Sequence, residues 1–355
     1  MEPKTPPRAA IAVRPELPSR PGRVPQAQAR AWPPRSPSDA LAGLAPTALA
    51  RRRALTAGAV LLAGTALPAC QLVTGKAATS KPVEAPATVA PTFGFQSGAQ
   101  LFVLARGPVT FHCYVAPESG VGASAYLIEF KDQLFVYDTQ LTPALGRELR
   151  YYGNTLNKRF TRVIISHEHA EQWSGWSEFA DLPTYAPRET EAVLAYSAPK
   201  LPPRVGVEIP RLAGVIAAGD ETVAGVRAQF RLLRDAEAAS IVTIGFADQT
   251  VYLAGDVIYN RLHPFLGNNT VARWLAALDE IPAWATANTC TLLPGHGAPT
   301  NGSVVAEMRR YLQAAQTAFT TFKSADEIEK ALRTQFPDYG GTYLLRFGID
   351  TALQR

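Results

Sequence analysis

Apolar and polar positions first organise themselves around residue 125. Ala125 to Phe130 and Gln133 to Tyr137 are two apolar-rich runs parted by Lys131-Asp132, the pattern of a β-hairpin with a tight turn. An amphipathic stretch predicts a helix over 144–152. Residues 162–166 form a short apolar run bounded by polar ones, which predicts a buried strand. A weaker strand is expected at 183–186 and a helix at 188–196. A second group of strands follows at 228–233, 241–246 and 250–254. Then come a helix over 270–281, a strand at 291–293 and a long helix over 301–322, which Asn301 is placed to cap. Two groups of strands, with helices between and after them, predict a layered α/β fold with helices outside two sheets. No internal repeat of 20–50 residues is visible.

Composition separates the first 92 residues from the rest. They hold 15 of the 29 prolines, 12 of the 35 basic residues and 4 of the 30 acidic ones. The remainder keeps 23 basic and 26 acidic residues and is mildly acidic, so the overall charge of +5 belongs to the N-terminal part. That distribution gives no support for nucleic-acid binding by the folded part. At 47% hydrophobic and 18% charged, the chain suits a globular domain. The domain is expected over 93–355.

Residues 1–50 are rich in Pro and Arg, and too few of them are apolar to offset an ordering entropy. Residues 51–70 read as an export signal. Arg51-Arg52-Arg53 precedes an apolar run over 54–64, and Leu67-Pro68-Ala69-Cys70 closes it. Paired arginines resemble a twin-arginine signal. The closing four residues resemble a lipobox, in which Cys70 becomes the lipidated N-terminus, although Pro68 is unusual there. The apolar run is shorter than the roughly 20 residues of a membrane span. Residues 71–92 are expected to be a flexible tether. The expectation is therefore an exported protein, either anchored in a membrane by lipid or released to the periplasm or the exterior. Cys113 and Cys290 are the other two cysteines, too few for a disulfide framework.

The chemistry-bearing residues sit just past predicted strands. His167, His169, Glu171 and Gln172 follow the run ending at Ser166; Asp256 follows Ala254; His296 follows Leu293. Loops at strand ends converge on one crevice in α/β folds. Imidazole and carboxylate are the natural donors for zinc, and an open position leaves room for water.

Four stretches carry a resemblance. They are Tyr137-Asp138-Thr139, then His167-Glu168-His169-Ala170-Glu171-Gln172-Trp173-Ser174-Gly175, Ala254-Gly255-Asp256, and Pro294-Gly295-His296-Gly297. In this order they resemble the metallo-β-lactamase-fold superfamily, over about residues 93–320. The resemblance implies a four-layer αβ/βα sandwich and a metal-dependent hydrolase acting on a small-molecule substrate. It implies that His167 and His169 bind a first metal, that Asp256 is the catalytic carboxylate bridging two metals, and that Glu171, Gln172 and His296 serve the second. Zinc is the implied metal, as one or two ions.

The departures from the pattern H-x-H-x-D-H are as informative. Glu171 stands where the family has Asp, and Gln172 where it has His; a neutral amide oxygen is a poor zinc ligand beside imidazole. The third first-site His is absent. Glu237, in the stretch 234–240, is the candidate substitute. The second site is therefore expected to be weak. Two functions stay open: a metallohydrolase, or a non-catalytic, metal-depleted relative acting as an exported binding protein. An iron-dependent oxidoreductase would need more ligands than Gln172 leaves. His112 and His263 are expected to be polar groups satisfied within the fold.

Overall fold

The computed structural model describes residues 89–354, apart from 197, 201–203, 205 and 269. The expected extension (1–50), the export signal with Cys70 (51–70) and all but the end of the tether lie outside the described residues. Among those described, no helix is long and apolar enough to cross a membrane.

One sheet holds eight strands in sequence order: β1 (Phe93–Gly94), β2 (Gln100–Arg106), β3 (Val109–Val115), β4 (Ser124–Glu129), β5 (Gln133–Tyr137), β6 (Arg159–Ile164), β7 (Thr184–Ala186) and β8 (Leu212–Val215). The other holds six: β9 (Gly219–Val223), β10 (Val226–Arg234), β11 (Ser240–Phe246), β12 (Val251–Tyr259), β13 (Thr291–His296) and β14 (Thr300–Asn301), ordered β14-β13-β12-β11-β10-β9. The expected hairpin is β4–β5, closed by the Phe130 N–H on the Gln133 carbonyl at 2.9 Å. Connections become parallel where a helix intervenes, as at β5–β6 and β12–β13.

The central strands are buried on both faces, and each face goes to a different core. Along β4, Tyr126 and Ile128 join a cluster between the sheets, while Ala125 and Leu127 join the cluster under the helices. β12 alternates likewise, with Val251 and Leu253 between the sheets and Tyr252 and Ala254 facing the helices. Phe111 of one sheet meets Phe246 of the other, ring centroids 5.0 Å apart. This double burial explains why these strands read as apolar runs rather than alternations. The helices are α1 (Pro143–Thr155), α2 (Ala170–Trp173), α3 (Arg188–Tyr196), α4 (Val271–Ala277), α5 (Val304–Thr321), α6 (Ala325–Gln335) and α7 (Thr342–Leu353). Helices outside two face-to-face sheets make the expected αβ/βα sandwich.

Several boundaries differ from expectation. β12 runs on to Tyr259 and β13 to His296, so Asp256 and His296 lie within strands rather than in loops after them. The helix expected over 270–281 is α4 followed by one 3-10 turn, Leu278–Glu280. Asn301 belongs to β14, and its Oδ1 accepts from the Ser303 N–H and Oγ instead of capping α5 directly. Strands β1 to β3, β8, β9 and β14 and helices α6 and α7 lie outside the elements that the sequence pattern predicts. Both Cys113 and Cys290 are buried free thiols.

Candidate metal centre

The donors are brought together by constraints that begin in the backbone. Past β5, Asp138 turns at φ 64°, and its Oδ1 accepts the Ser166 N–H at 2.7 Å. The Ser166 carbonyl in turn accepts the Val242 N–H of β11 at 3.0 Å. The segment leading into His167 is thus held by both sheets. From the other sheet, Gly255 adopts φ 54°, where a side chain would be strained and would meet the Tyr137 hydroxyl. Gly295 allows a close approach: a Cβ there would fall 1.9 Å from Asp256 Oδ1. Only glycine lets β13 pass this near to that carboxylate.

Two donor groups result, and Asp256 belongs to both. The first contains His167, His169, Glu237 and Asp256. His169 Nδ1 lies 2.8 Å from Glu237 Oε1, and His167 Nε2 lies 3.4 Å from Glu237 Oε2 and 3.6 Å from Asp256 Oδ2. The second contains Glu171, Asp256 and His296, with His296 Nε2 at 3.1 Å from Asp256 Oδ2 and 3.8 Å from Glu171 Oε1. Gln172 does not present its oxygen to this second group. Its Nε2 donates to Asp256 instead, at 3.1 and 3.2 Å from Oδ1 and Oδ2. Glu237 stands in the loop between β10 and β11, whose carbonyls at Glu237 and Ala236 accept from Asn268 Nδ2 and Thr270 Oγ1, both at 2.5 Å.

The residues fit a divalent cation. His167 Nε2, Gln172 Oε1 and Glu237 Oε2 are buried and lack a hydrogen-bond partner, while Glu237 Oε1 meets His169 Nδ1 at 2.8 Å. Buried polar atoms are nearly always satisfied, yet here His167 Nε2 and Glu237 Oε2 are orphaned 3.4 Å apart. Donors about 2.0–2.2 Å from a tetrahedral ion stand roughly 3.3 Å apart, which the first group's separations of 2.8 to 3.6 Å bracket. The outer nitrogens are also engaged. His296 Nδ1 is 2.9 Å from the Val121 carbonyl, and His167 Nδ1 is 2.9 Å from Ser166 Oγ. Such contacts fix ring orientation and leave the inward nitrogens for a ligand role.

Burial and mutual charge set the protonation of the cluster. Burial pushes the His167 imidazole down to about 3, against the pull of Asp256. His169 is pushed up to about 10, because the Glu237 carboxylate outweighs its burial. Glu237 is raised, chiefly by burial, which the nearby His169 only partly offsets. Asp256 is also desolvated, but His296 and His167 outweigh that and hold its carboxyl well below the usual range. His296 rises to about 9, as Asp256 overcomes its burial. The arrangement concentrates negative charge in a dry site, a demand that a cation or protons must meet.

The family model for the metallo-beta-lactamase superfamily matches residues 119–305. This chain belongs to that superfamily. Solved structures with a related fold include a metallo-beta-lactamase from Pontibacter korlensis, 15% identical, covering 60% of this chain and 99% of that one, TM-score 0.49. VMB-1 at pH 5.5 is also 15% identical, covering 62% of this chain and 100% of that one, TM-score 0.49. DIM-1 exposed to ceftazidime is 13% identical, covering 61% and 97%, TM-score 0.47. No curated protein matches the chain. Membership of the superfamily rests on the family match.

Within this superfamily member the structure gathers His167, His169, Glu171, Gln172, Asp256 and His296, and sets Glu237 beside the two adjacent histidines. Tyr259 received no role from sequence. Its ring stacks on His296 at 4.4 Å and 7°, and its hydroxyl donates to Asp256 Oδ2 at 3.2 Å. A tyrosine in the run Val257-Ile258-Tyr259 reads as core, and only its three-residue spacing from Asp256 hints otherwise. Trp173 and Trp176 are buried, their indole N–H groups donating to the Glu168 carbonyl and Thr184 Oγ1. His112 and His263 are satisfied within the fold: His112 by Tyr152 and Glu129, His263 by the Tyr311 hydroxyl at 2.7 Å.

Proposed function

We propose that this superfamily member is an exported metal-dependent hydrolase of a small-molecule substrate, working with one tightly held ion, zinc by the chemistry of its donors. The observation that carries the reading is a pair of donor groups sharing Asp256, with unsatisfied lone pairs in the first. His167, His169, Glu237 and Asp256 would hold the ion. A bound divalent ion supplies a Lewis acid and brings the pKa of water to roughly 7. Asp256, held ionised by its histidine neighbours, keeps an anionic carboxylate at the boundary of the two groups. Val121 and Ser166 orient the imidazoles of His296 and His167. Tyr259 steadies both His296 and Asp256.

Gln172 supports a weaker second site, and it is also the observation favouring the alternative reading of a metal-depleted binding protein. Its N–H group meets the shared carboxylate in the place of a donor lone pair. Elemental analysis of the protein purified without chelator separates the two readings. About one zinc per chain, with hydrolysis of a p-nitrophenyl ester or phosphate that chelator abolishes, is expected. No bound metal in excess zinc, with no turnover, leaves the binding protein.

Export rests on the signal-like segment 51–70. Lipid attached at Cys70 is expected in the membrane fraction by mass spectrometry, and Cys70→Ser should abolish it. A mature chain retaining residues before Arg51 would overturn this.

A further inference from the structure

The donor cluster is sealed on most sides. His167, Gln172, Glu237, Asp256 and His296 are 0–1% exposed and Glu171 5%. The His169 side chain is 20% exposed, so solvent meets the cluster past this imidazole. Beside it stands Phe265, edge-on at 89° with ring centroids 5.4 Å apart. Phe265 stacks on Phe347 at 5.5 Å and 28°, and Phe347 on Tyr343 at 6.1 Å and 2°. All three rings are only half-buried, in a chain whose aromatic side chains are mostly interior.

Two of the rings come from α7, beyond the 119–305 segment that matches the superfamily. The helix is fastened to the loop carrying Phe265. At Gly348 a Cβ would lie 2.6 Å from the Leu266 nitrogen, so backbone packs directly on backbone. The His263 N–H also donates to the Gly340 carbonyl at 2.8 Å. A ring file held this way is a fixed apolar surface beginning at the partly exposed ligand-type histidine. Ligand pockets pair such apolar walls with a few polar groups that fix orientation, and aromatic rings offer much contact area with little side-chain freedom to lose.

We propose that Phe265, Phe347 and Tyr343 form a ledge that binds an uncharged apolar group of the substrate, an acyl chain adjoining the bond that is cleaved. This rests on the metal-centre reading above, and it assigns the C-terminal helix a part in specificity.

Calorimetric titration of the zinc-supplemented full chain with octanoate and with acetate tests the ledge without requiring turnover. Octanoate should bind at least tenfold more tightly, the worth of about two buried methylenes. Phe265→Ala with Phe347→Ala should erase that preference while leaving acetate affinity and metal content unchanged. Should the double variant fail to fold, Phe265→Gln, at a half-exposed position, is expected to cut the preference at least threefold. Phe265→Leu, which stays apolar, should keep it. Equal binding of octanoate and acetate by the wild type, or a preference that survives loss of the rings, overturns the proposal. A protein that holds no zinc removes the metal-centre reading, yet the octanoate preference in the same samples still decides the ledge.

Discussion

The two donor groups share Asp256 but differ in what surrounds it. The first combines two imidazoles with the fully buried Glu237, and His167 Nε2 and Glu237 Oε2, both without a hydrogen-bond partner, stand 3.4 Å apart. The second has one imidazole and Glu171, and Gln172 spends its N–H group on the shared carboxylate. An amide N–H near Asp256 does electrostatically, in small measure, what a second cation would do there. On the proposed reading, one site is kept while its neighbour is replaced by a hydrogen bond. A carboxylate can stand in for a missing histidine as a donor, whereas a glutamine in this orientation is a substitute for the ion.

The largest effect should come from breaking the first group. His167→Ala with His169→Ala is expected to remove bound zinc altogether and to lower any hydrolytic rate by at least about 100-fold, a scale that even changes around metal ligands reach. His167 is fully buried, so some stability is lost through a cavity. Circular dichroism should still show the folded sandwich. Retained metal would transfer the principal site to the second group and reverse the comparison.

Rebuilding the second group is the next test. Gln172→His exchanges the amide donor for an imidazole beside Asp256. Zinc should rise from one toward two per chain by elemental analysis, with a gain in rate on the same ester or phosphate. An unchanged stoichiometry would place the weakness of this group elsewhere, in the reach of Glu171, whose Oε1 stands 3.8 Å from His296 Nε2.

Much of this comparison was legible in the chain itself. The apolar runs carry the layered α/β fold, because double-faced burial makes the central strands continuous apolar segments, and the four motifs in order carry the resemblance that implies His167, His169, Asp256 and His296 as donors. Glu237 could be reached by position in the chain, but its inward aim depends on a five-residue loop held by Asn268 and Thr270. Tyr259 stayed hidden because a buried tyrosine in an apolar strand has the same pattern whether it touches a leucine or a histidine. The roles of Phe265 and Phe347 were out of reach for a different reason. They meet only when α7 packs on a loop some 80 residues earlier in the chain. The orientation of Gln172, which decides the contrast between the groups, is likewise a matter of its three-dimensional partner.

The smallest expected effect separates proton linkage from metal linkage. Acid will strip metal from either group, so the pH dependence of stability mixes the two. His263 lies outside both groups and supplies a background that can be isolated. Its imidazole is buried, accepts or donates at the Tyr311 hydroxyl, and is pushed down to about 4 by burial and by the positive charge of Arg333, against a smaller pull from Glu329. In the unfolded chain it would titrate near 6.5. Its folded-state pKa is the lower one, so the unfolded state takes up the proton first. The stability carried by neutral His263 is complete above about pH 6.5 and is lost as pH falls toward 4, by about 1–3 kcal/mol in all. Urea unfolding with chelator present, at pH 7.5 and at pH 4.5, reads this directly. His263→Gln, which can still meet the Tyr311 hydroxyl, should lose less stability than the wild type over that interval. Parallel losses in the two proteins would show that His263 protonates freely in the folded state, and the acid sensitivity would then belong to the donor groups alone.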